Sequence, residues 1–271
     1  MVDVLADIVA TKRGEVAERR QQVPLAELHA TIPDLPKTRD FVGALRGAPP
    51  LRLIAEVKKA SPSAGLIRSD FDPVEIARAY EAGGASCLSV LTDRPYFQGD
   101  LAYLQRIRDQ VSLPLLRKDF IIDPYQIYEA RVAGADAVLL IAECLSVTQL
   151  RDFYQLARSL GLAVLSELHD PENLDAVLDS GTEIVGVNNR DLRTFRVDTQ
   201  QTIRIRAQVP QDRLLVGESG VKNRALVLEW QAAGVDAMLV GETLMRQPDL
   251  TVAVRSLLGL DEPMSNRSLK E

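Results

Sequence analysis

GADAVLLIAE, residues 134–143, sets the reading of the whole chain: a glycine, a small and an acidic residue, an apolar run from Ala137 to Ala142, then an acid. The same form returns in GGASCLSVLT (83–92), GTEIVGVNN (181–189) and GVDAMLVGE (234–242). Counted from Gly84, the glycines stand 50, 47 and 53 residues apart. A glycine in this place ends the preceding helix, where the backbone needs a left-handed residue, and the apolar run after it is a strand. A second set of runs lies between these: LRLIAEVK (51–58), LPLLRKD (113–119), LAVLSEL (162–168) and RLLVGES (213–219). Together they make eight strands with a helical stretch between each pair. Strand alternating with helix implies a parallel sheet joined by right-handed crossovers. Eight such units in about 200 residues fit a closed barrel better than an open sheet. The expected fold class is therefore α/β, a (β/α)8 TIM barrel. An open doubly wound sheet is the runner-up, but it usually carries a glycine-rich dinucleotide fingerprint after its first strand, and this chain has none.

Residues 1–45 read as an N-terminal helical extension. Leu5, Ile8, Val9, Lys12 and Val16 follow a helical period, and Pro24, Pro33 and Pro36 punctuate the stretch after them. The barrel is expected over 46–260, and the polar tail DEPMSNRSLKE (261–271) is expected to be disordered. With 271 residues, 46% of them hydrophobic, the chain can bury one large core. A net charge of -6 and a pI near 5.2 argue against nucleic acid as a partner. There is no apolar run of about 18 residues that would predict a membrane span. The first residues, with Asp3 and Asp7 and no cationic start, do not read as a secretory signal. Cys87 and Cys144 sit in apolar surroundings, which suggests buried thiols and a cytoplasmic location. Two histidines, His29 and His169, cannot build a His-rich zinc site.

In a barrel of this kind the chemistry lies at the C-terminal ends of the strands. The odd strands end in Glu56 and Lys58, in Lys118, in Glu167 and in Glu218. Glu56 and Lys58 alternate, so both point to one face. Burying an acid and a base there is costly unless each finds partners, and side chains from alternate strands share a layer of the barrel interior. These five groups are therefore expected to meet at one mouth and to serve general acid–base work. A lysine whose pKa is lowered by burial and by a second lysine could give or take a proton near neutral pH; a Schiff-base role for Lys118 or Lys58 is open on the same grounds. Further candidates at strand ends are Asn188, Arg190, Ser219 and Glu242.

GESG (217–220) and VGETL (240–244) close the seventh and eighth strands, where many barrels hold a phosphate on backbone N–H groups. Gly220 and Gly241 allow close approach of the main chain, and the loop ASPSAG after strand one adds Ser61 and Ser63. Glu242 is awkward there, since its charge has to point away from a phosphate. Phe120, straight after Lys118 and Asp119, is a candidate contact for a ring-shaped substrate, with Tyr96 and Phe97 behind it. His169 is placed in the loop before a helix opened by Asp170 and Pro171. Cys87 and Trp230 read as core.

Taken in order, IAEVKKASPSAG, LPLLRKDFIIDPYQIYEARVAGADAVLLI, SELHD, GVNNRDL, VGESG and VGETLM resemble the indole-3-glycerol phosphate synthases of tryptophan biosynthesis. The leading LADIVATKRGEVAERR is similar to that family's N-terminal helix, so the resemblance spans nearly the whole chain. It implies a phosphorylated small-molecule substrate, 1-(2-carboxyphenylamino)-1-deoxyribulose 5-phosphate, and ring closure with loss of CO2 and water, without metal or cofactor. Under that resemblance Lys118 is the general acid at the substrate carbonyl and Glu167 the acid–base group of dehydration. Lys58 binds the substrate carboxylate, Glu56 orients the lysines, and Asn188 and Glu218 position the reacting carbon, supported by Arg190 and Ser219. Ser61, Gly220, Gly241 and neighbours, Glu242 among them, hold the phosphate. Phe97, Phe120, Leu139, Ile141 and Leu192 wall the ring. The extension is expected to be able to lie over the mouth and exclude water. Ala64 stands where many members carry lysine, which is expected to weaken phosphate affinity without touching a catalytic role. No room is left for the isomerase domain fused to some relatives, so a single-function chain is expected.

Three rivals differ in testable ways. Phosphoribosylanthranilate isomerase is also a barrel, but by resemblance it carries a cysteine at the end of strand one, where this chain reads Glu-Val-Lys. A Schiff-base aldolase would let borohydride trap substrate on Lys118 or Lys58. A non-catalytic binding subunit would bind substrate without turnover. Monomer and dimer are both compatible with the sequence.

Overall fold

The computed structural model describes residues 4–47, 51–191 and 194–261. Eight strands follow one another around a cylinder: β1 (Arg52–Val57), β2 (Cys87–Leu91), β3 (Leu115–Lys118), β4 (Ala137–Ile141), β5 (Ala163–Leu168), β6 (Ile184–Asn188), β7 (Leu214–Glu218) and β8 (Ala237–Val240). All neighbours pair in parallel, and β1 pairs with both β2 and β8, so the sheet closes into the expected (β/α)8 barrel. The four repeat glycines all take positive φ, at 96° for Gly84, 87° for Gly134, 88° for Gly181 and 79° for Gly234. Each lets the chain leave a helix and enter a strand without the clash a Cβ would bring.

Helix starts are equally explicit. Asp123 accepts from the Tyr125 N–H ahead of helix Pro124–Val132 while Gln126 reaches back, and Ser146 with Gln149 does the same for Val147–Ser159. These side chains satisfy N–H groups that a helix terminus leaves without partners.

Strand periodicity sorts the core into two layers. Leu53, Ala55, Val57, Leu88, Val90, Val138, Leu140, Val185 and Met238 face the surrounding helices. Ile54, Cys87, Leu116, Leu139, Leu165, Val216 and Leu239 fill the interior. Glu56, Lys118, Glu167 and Glu218 share the parity of the interior set, which places each acid or base one step above an apolar layer.

The extension treats the two ends of the barrel differently. Its helices are α1 (Val4–Gln22), α2 (Leu25–Thr31) and α3 (Phe41–Leu45). Asp40 caps α3 through the Gly43 N–H at 2.8 Å, and α3 drives Phe41 and Leu45 into the end where the strands begin. Helix α1 buries the stripe Ile8, Lys12 and Val16, with Val16 against Leu28 and Tyr125. Lys12 is the surprise on that stripe. Its ammonium lies 2.7 Å from Asp93 and 3.0 Å from Asp119, both at the C-terminal ends of barrel strands, and 2.7 Å from Glu15. Asp119 also meets Arg117 at 3.0 Å and the Thr92 hydroxyl at 2.6 Å. The network pins α1 across the mouth.

Among the described residues no helix is long and apolar enough to cross a membrane. The expectation of a disordered tail falls on 262–271, and the ring contact expected of Leu192 falls on 192; both lie outside the described residues.

Candidate active site

A cavity of about 1020 Å³ opens at the C-terminal ends of the strands. It is lined by Glu56, Lys58, Ser61, Ser63, Phe97, Lys118, Phe120, Leu139, Ile141, Glu167, Asn188, Arg190, Glu218, Ser219, Gly220, Gly241 and Glu242, which are the sequence's described site candidates with Tyr96 left out. Val4, Leu5 and Ile8 complete the wall from α1, as the extension's expected position over the mouth requires.

At the floor, Lys118 on β3 bridges Glu167 on β5 and Glu218 on β7; its Nζ is 2.7 Å from Glu218 Oε2. Glu56 on β1 and Lys58 just beyond its end form their own pair at 2.5 Å. Asn188 on β6 donates its amide to Glu167 Oε1 at 3.2 Å and accepts the Ser219 hydroxyl at 2.8 Å. Ser219 makes that bond from a positive φ of 63°, a conformation a non-glycine residue rarely takes. The acid and base on β1 are thus tolerated because they enter a layer in which every charge has an opposite neighbour.

The electrostatics reverse one expectation. The sequence suggests a lysine made easy to deprotonate. Burial does oppose the charge on Lys118, but Glu167, Glu218 and Glu56 together hold its pKa well above the ordinary lysine value. The surroundings of Lys118 therefore favour its charged form. The carboxylates divide. Burial disfavours the charge on Glu167, yet Lys118 and His169 keep its pKa well below the usual range. Glu218 is pushed up by burial and by the negative charge of Glu167. The two acids are coupled: the surroundings favour the charged form of Glu167 and the protonated form of Glu218.

Phe97 ends the short helix Arg94–Phe97 and lies 6.1 Å from Phe120, ring to ring, giving the cavity an apolar wall with Leu139 and Ile141. Tyr96 instead meets the Thr11 hydroxyl on α1 at 3.0 Å. The loop after β1 folds as a two-residue ladder, Ala60–Ser61 against Gly65–Leu66, with the Ser61 hydroxyl accepting from the Ala64 N–H. Glu242 lines the cavity paired with Arg246 at 2.8 Å and with Arg190 at 3.9 Å, so its charge is compensated there. Cys87 and Trp230 are core, as expected.

Sequence reasoning passes over His169, Arg246 and Lys222, all on the cavity wall. His169 is not a plain loop residue. It stands two positions beyond Glu167, and its Nε2 lies 2.8 Å from Glu167 Oε1. The signal is present in the chain, because the alternation that pairs Glu56 with Lys58 also pairs Glu167 with His169. Arg246 sits on the solvent side of a helical turn and leaves no such trace.

Glycine- and serine-bearing loops, an apolar wall and a lysine between two carboxylates meet at the strand ends, where a (β/α)8 enzyme carries its active site. The family model for indole-3-glycerol phosphate synthase matches residues 5–257. An indole-3-glycerol phosphate synthase of Rhodopirellula baltica is 58% identical over 255 residues, covering 94% of this chain and 98% of the relative. One from Aromatoleum aromaticum is 52% identical over 262 residues, covering 96% and 100%. The chain belongs to the indole-3-glycerol phosphate synthase family. Solved structures share its fold at much lower identity. A 3-hexulose-6-phosphate synthase has a TM-score of 0.63 at 15% identity, covering 77% of this chain and 99% of its own. A tryptophan synthase α-subunit mutant from Pyrococcus furiosus scores 0.59 at 17% identity, covering 77% and 98%.

Proposed function

We propose that this site closes the indole ring of 1-(2-carboxyphenylamino)-1-deoxyribulose 5-phosphate, releasing CO2 and water to leave indole-3-glycerol phosphate. The observation that carries this reading is Lys118, charged and held between Glu167 and Glu218 at the floor of an apolar-walled cavity. The ring carbon bearing the carboxylate attacks the ketone, and the carbonyl oxygen takes a proton from Lys118. CO2 then leaves, and its bonding pair flows into the substrate's own iminium, so the chemistry needs no electron sink from outside. In dehydration a carbon-bound proton passes to Glu167, while the hydroxyl takes a proton from Lys118, recharged from solvent after ring closure, and departs as water. Written with the carboxylate ionised, the conversion takes up one proton.

Lys58, held by Glu56, receives the substrate carboxylate. Asn188, Ser219 and Arg190 orient the sugar hydroxyls. Ser61 and the main chain at Gly220 and Gly241 take the phosphate, with the charge of Glu242 neutralised by Arg246. Phe97, Phe120, Leu139 and Ile141 grip the ring. The buried thiol of Cys87 supports a cytoplasmic setting.

Mixing the protein with this substrate tests the reading. Indole fluorescence should rise with one CO2 per indole formed; consumption of substrate without indole would remove it. The role of the β1 pair has its own test. A Cβ on Gly241 would lie 2.1 Å from Glu56 Oε2 and 3.0 Å from Lys58 Nζ. Gly241→Ala should therefore displace the carboxylate and carry Lys58 with it. Because only side-chain ends must move, the melting temperature should hold while kcat/KM drops by about tenfold, roughly the effect of one misplaced charged hydrogen bond. Unchanged kinetics would mean the pair is not used.

A further inference from the structure

His169 takes no part in the chemistry proposed for this site, yet its backbone and its ring are both held by partners from other elements. Its N–H donates to Glu143 Oε1 at 2.9 Å, from the turn after β4. Its carbonyl accepts the Gln201 amide at 2.7 Å, from helix Gln200–Arg206. Its ring is pinned at both nitrogens: Nδ1 lies 2.9 Å from the Arg190 carbonyl and Nε2 lies 2.8 Å from Glu167 Oε1. Only 8% of the side chain is exposed. The Arg190 carbonyl accepts from Nδ1; with Glu167 ionised, its oxygen accepts from Nε2 as well, so both ring nitrogens carry hydrogen and the ring is the imidazolium.

The two carboxylates of the floor are unequally supplied as a result. Glu167 receives Lys118, His169 and Asn188. Glu218 receives Lys118 at Oε2, while its Oε1 is buried with no hydrogen-bond partner. Three donors stabilise an anion; a buried oxygen with none favours the protonated acid. We infer that His169 is a positioning residue that keeps Glu167 as the ionised, correctly aimed member of the Glu167–Glu218 pair and leaves the shared proton on Glu218. The inference rests on the reading in which Glu167 accepts the proton lost in dehydration. The charged groups facing the imidazole are Glu167 from its own strand and Glu143 from the turn after β4, with Lys118 beyond Glu167. Burial opposes the imidazolium, but Glu167 outweighs it and lifts the His169 pKa to about 9.

The first test uses the free wild-type protein. With only two histidines in the chain, imidazole 15N resonances are readily assigned, and a His29→Gln variant settles which is which. At pH 7.5 both His169 nitrogens should be protonated, with loss of the proton only near pH 9. A neutral His169 at pH 7.5 overturns the inference. The second test compares His169→Gln and His169→Phe with wild type. kcat should fall roughly tenfold to hundredfold, KM should change less than about twofold, and the acid limb of the kcat profile should move to higher pH as Glu167 loses its cation. Gln, which can still donate one hydrogen bond, should retain more activity than Phe. A fall in kcat with an unshifted profile, or a loss carried by KM alone, would make His169 merely structural and sink the proposal. The resonance experiment needs no substrate. Failure of the wild type to form indole removes the functional reading and leaves that titration standing; a neutral His169 in an active enzyme removes only this inference.

Discussion

Lys118→Ala should lower kcat/KM for indole formation by about 10³-fold or more, the upper part of the range for a positioned proton donor. Lys118 is the only cation that touches both Glu167 and Glu218 among the described residues. Its loss removes the proton that the carbonyl oxygen needs and leaves two acids facing each other. Those acids can relax without unfolding the barrel, because the pair can share or gain a proton and His169 remains on Glu167. KM should therefore move little, since the ring wall and phosphate loops are untouched. Lys118→Arg makes a sharper comparison. It restores the charge, but a guanidinium does not give up its proton in a protein. It should be nearly as inactive as alanine. Progress curves followed by indole fluorescence decide it. Retention of more than about a tenth of wild-type activity by either variant would move the general-acid role elsewhere, with Lys58 as the next group in reach.

Lys12→Met should lower stability by about 3–5 kcal/mol, the usual cost of leaving a buried charge without its partner. Asp93 is fully buried and takes its countercharge from Lys12, at 2.7 Å; Asp119 keeps Arg117 and Thr92. Methionine matches the stem of lysine, so packing along Ile8, Lys12 and Val16 is preserved and the effect reads the charge. Unfolding by urea should show the lower midpoint. The same change should raise KM, because Leu5 and Ile8 reach the cavity from α1. An exposed pair such as Arg78–Glu75 is the control and should cost well under 1 kcal/mol.

Asp119 sets the pH dependence of that effect. Burial works against its charge, but Arg117 and Lys12 hold its folded pKa below the ordinary carboxylate value. A carboxylate depressed on folding adds stability that is present above its unfolded pKa of about 4 and is lost as pH falls toward the folded value. The gap between wild type and Lys12→Met should accordingly be full at pH 7 and narrow below about pH 4. A gap independent of pH, or no gap, would mean the network is not what holds α1.

Period and punctuation along the chain determined the barrel. Gly84, Gly134, Gly181 and Gly234 marked where helices stop, and alternation along each strand separated the interior residues from those under the helices. The same alternation put Glu56, Lys118, Glu167 and Glu218 at one level, because in a closed barrel position along a strand becomes height above its core. What lay beyond the sequence was the partner of each charge. Lys118 meets groups 49 and 100 residues away, and Lys12 reaches Asp93 across 81, so only closure of the sheet brings them within hydrogen-bond distance. The sign of the Lys118 shift was decided there too. Burial lowers a lysine pKa and carboxylates raise it, and which effect wins depends on distances that no spacing along the chain contains.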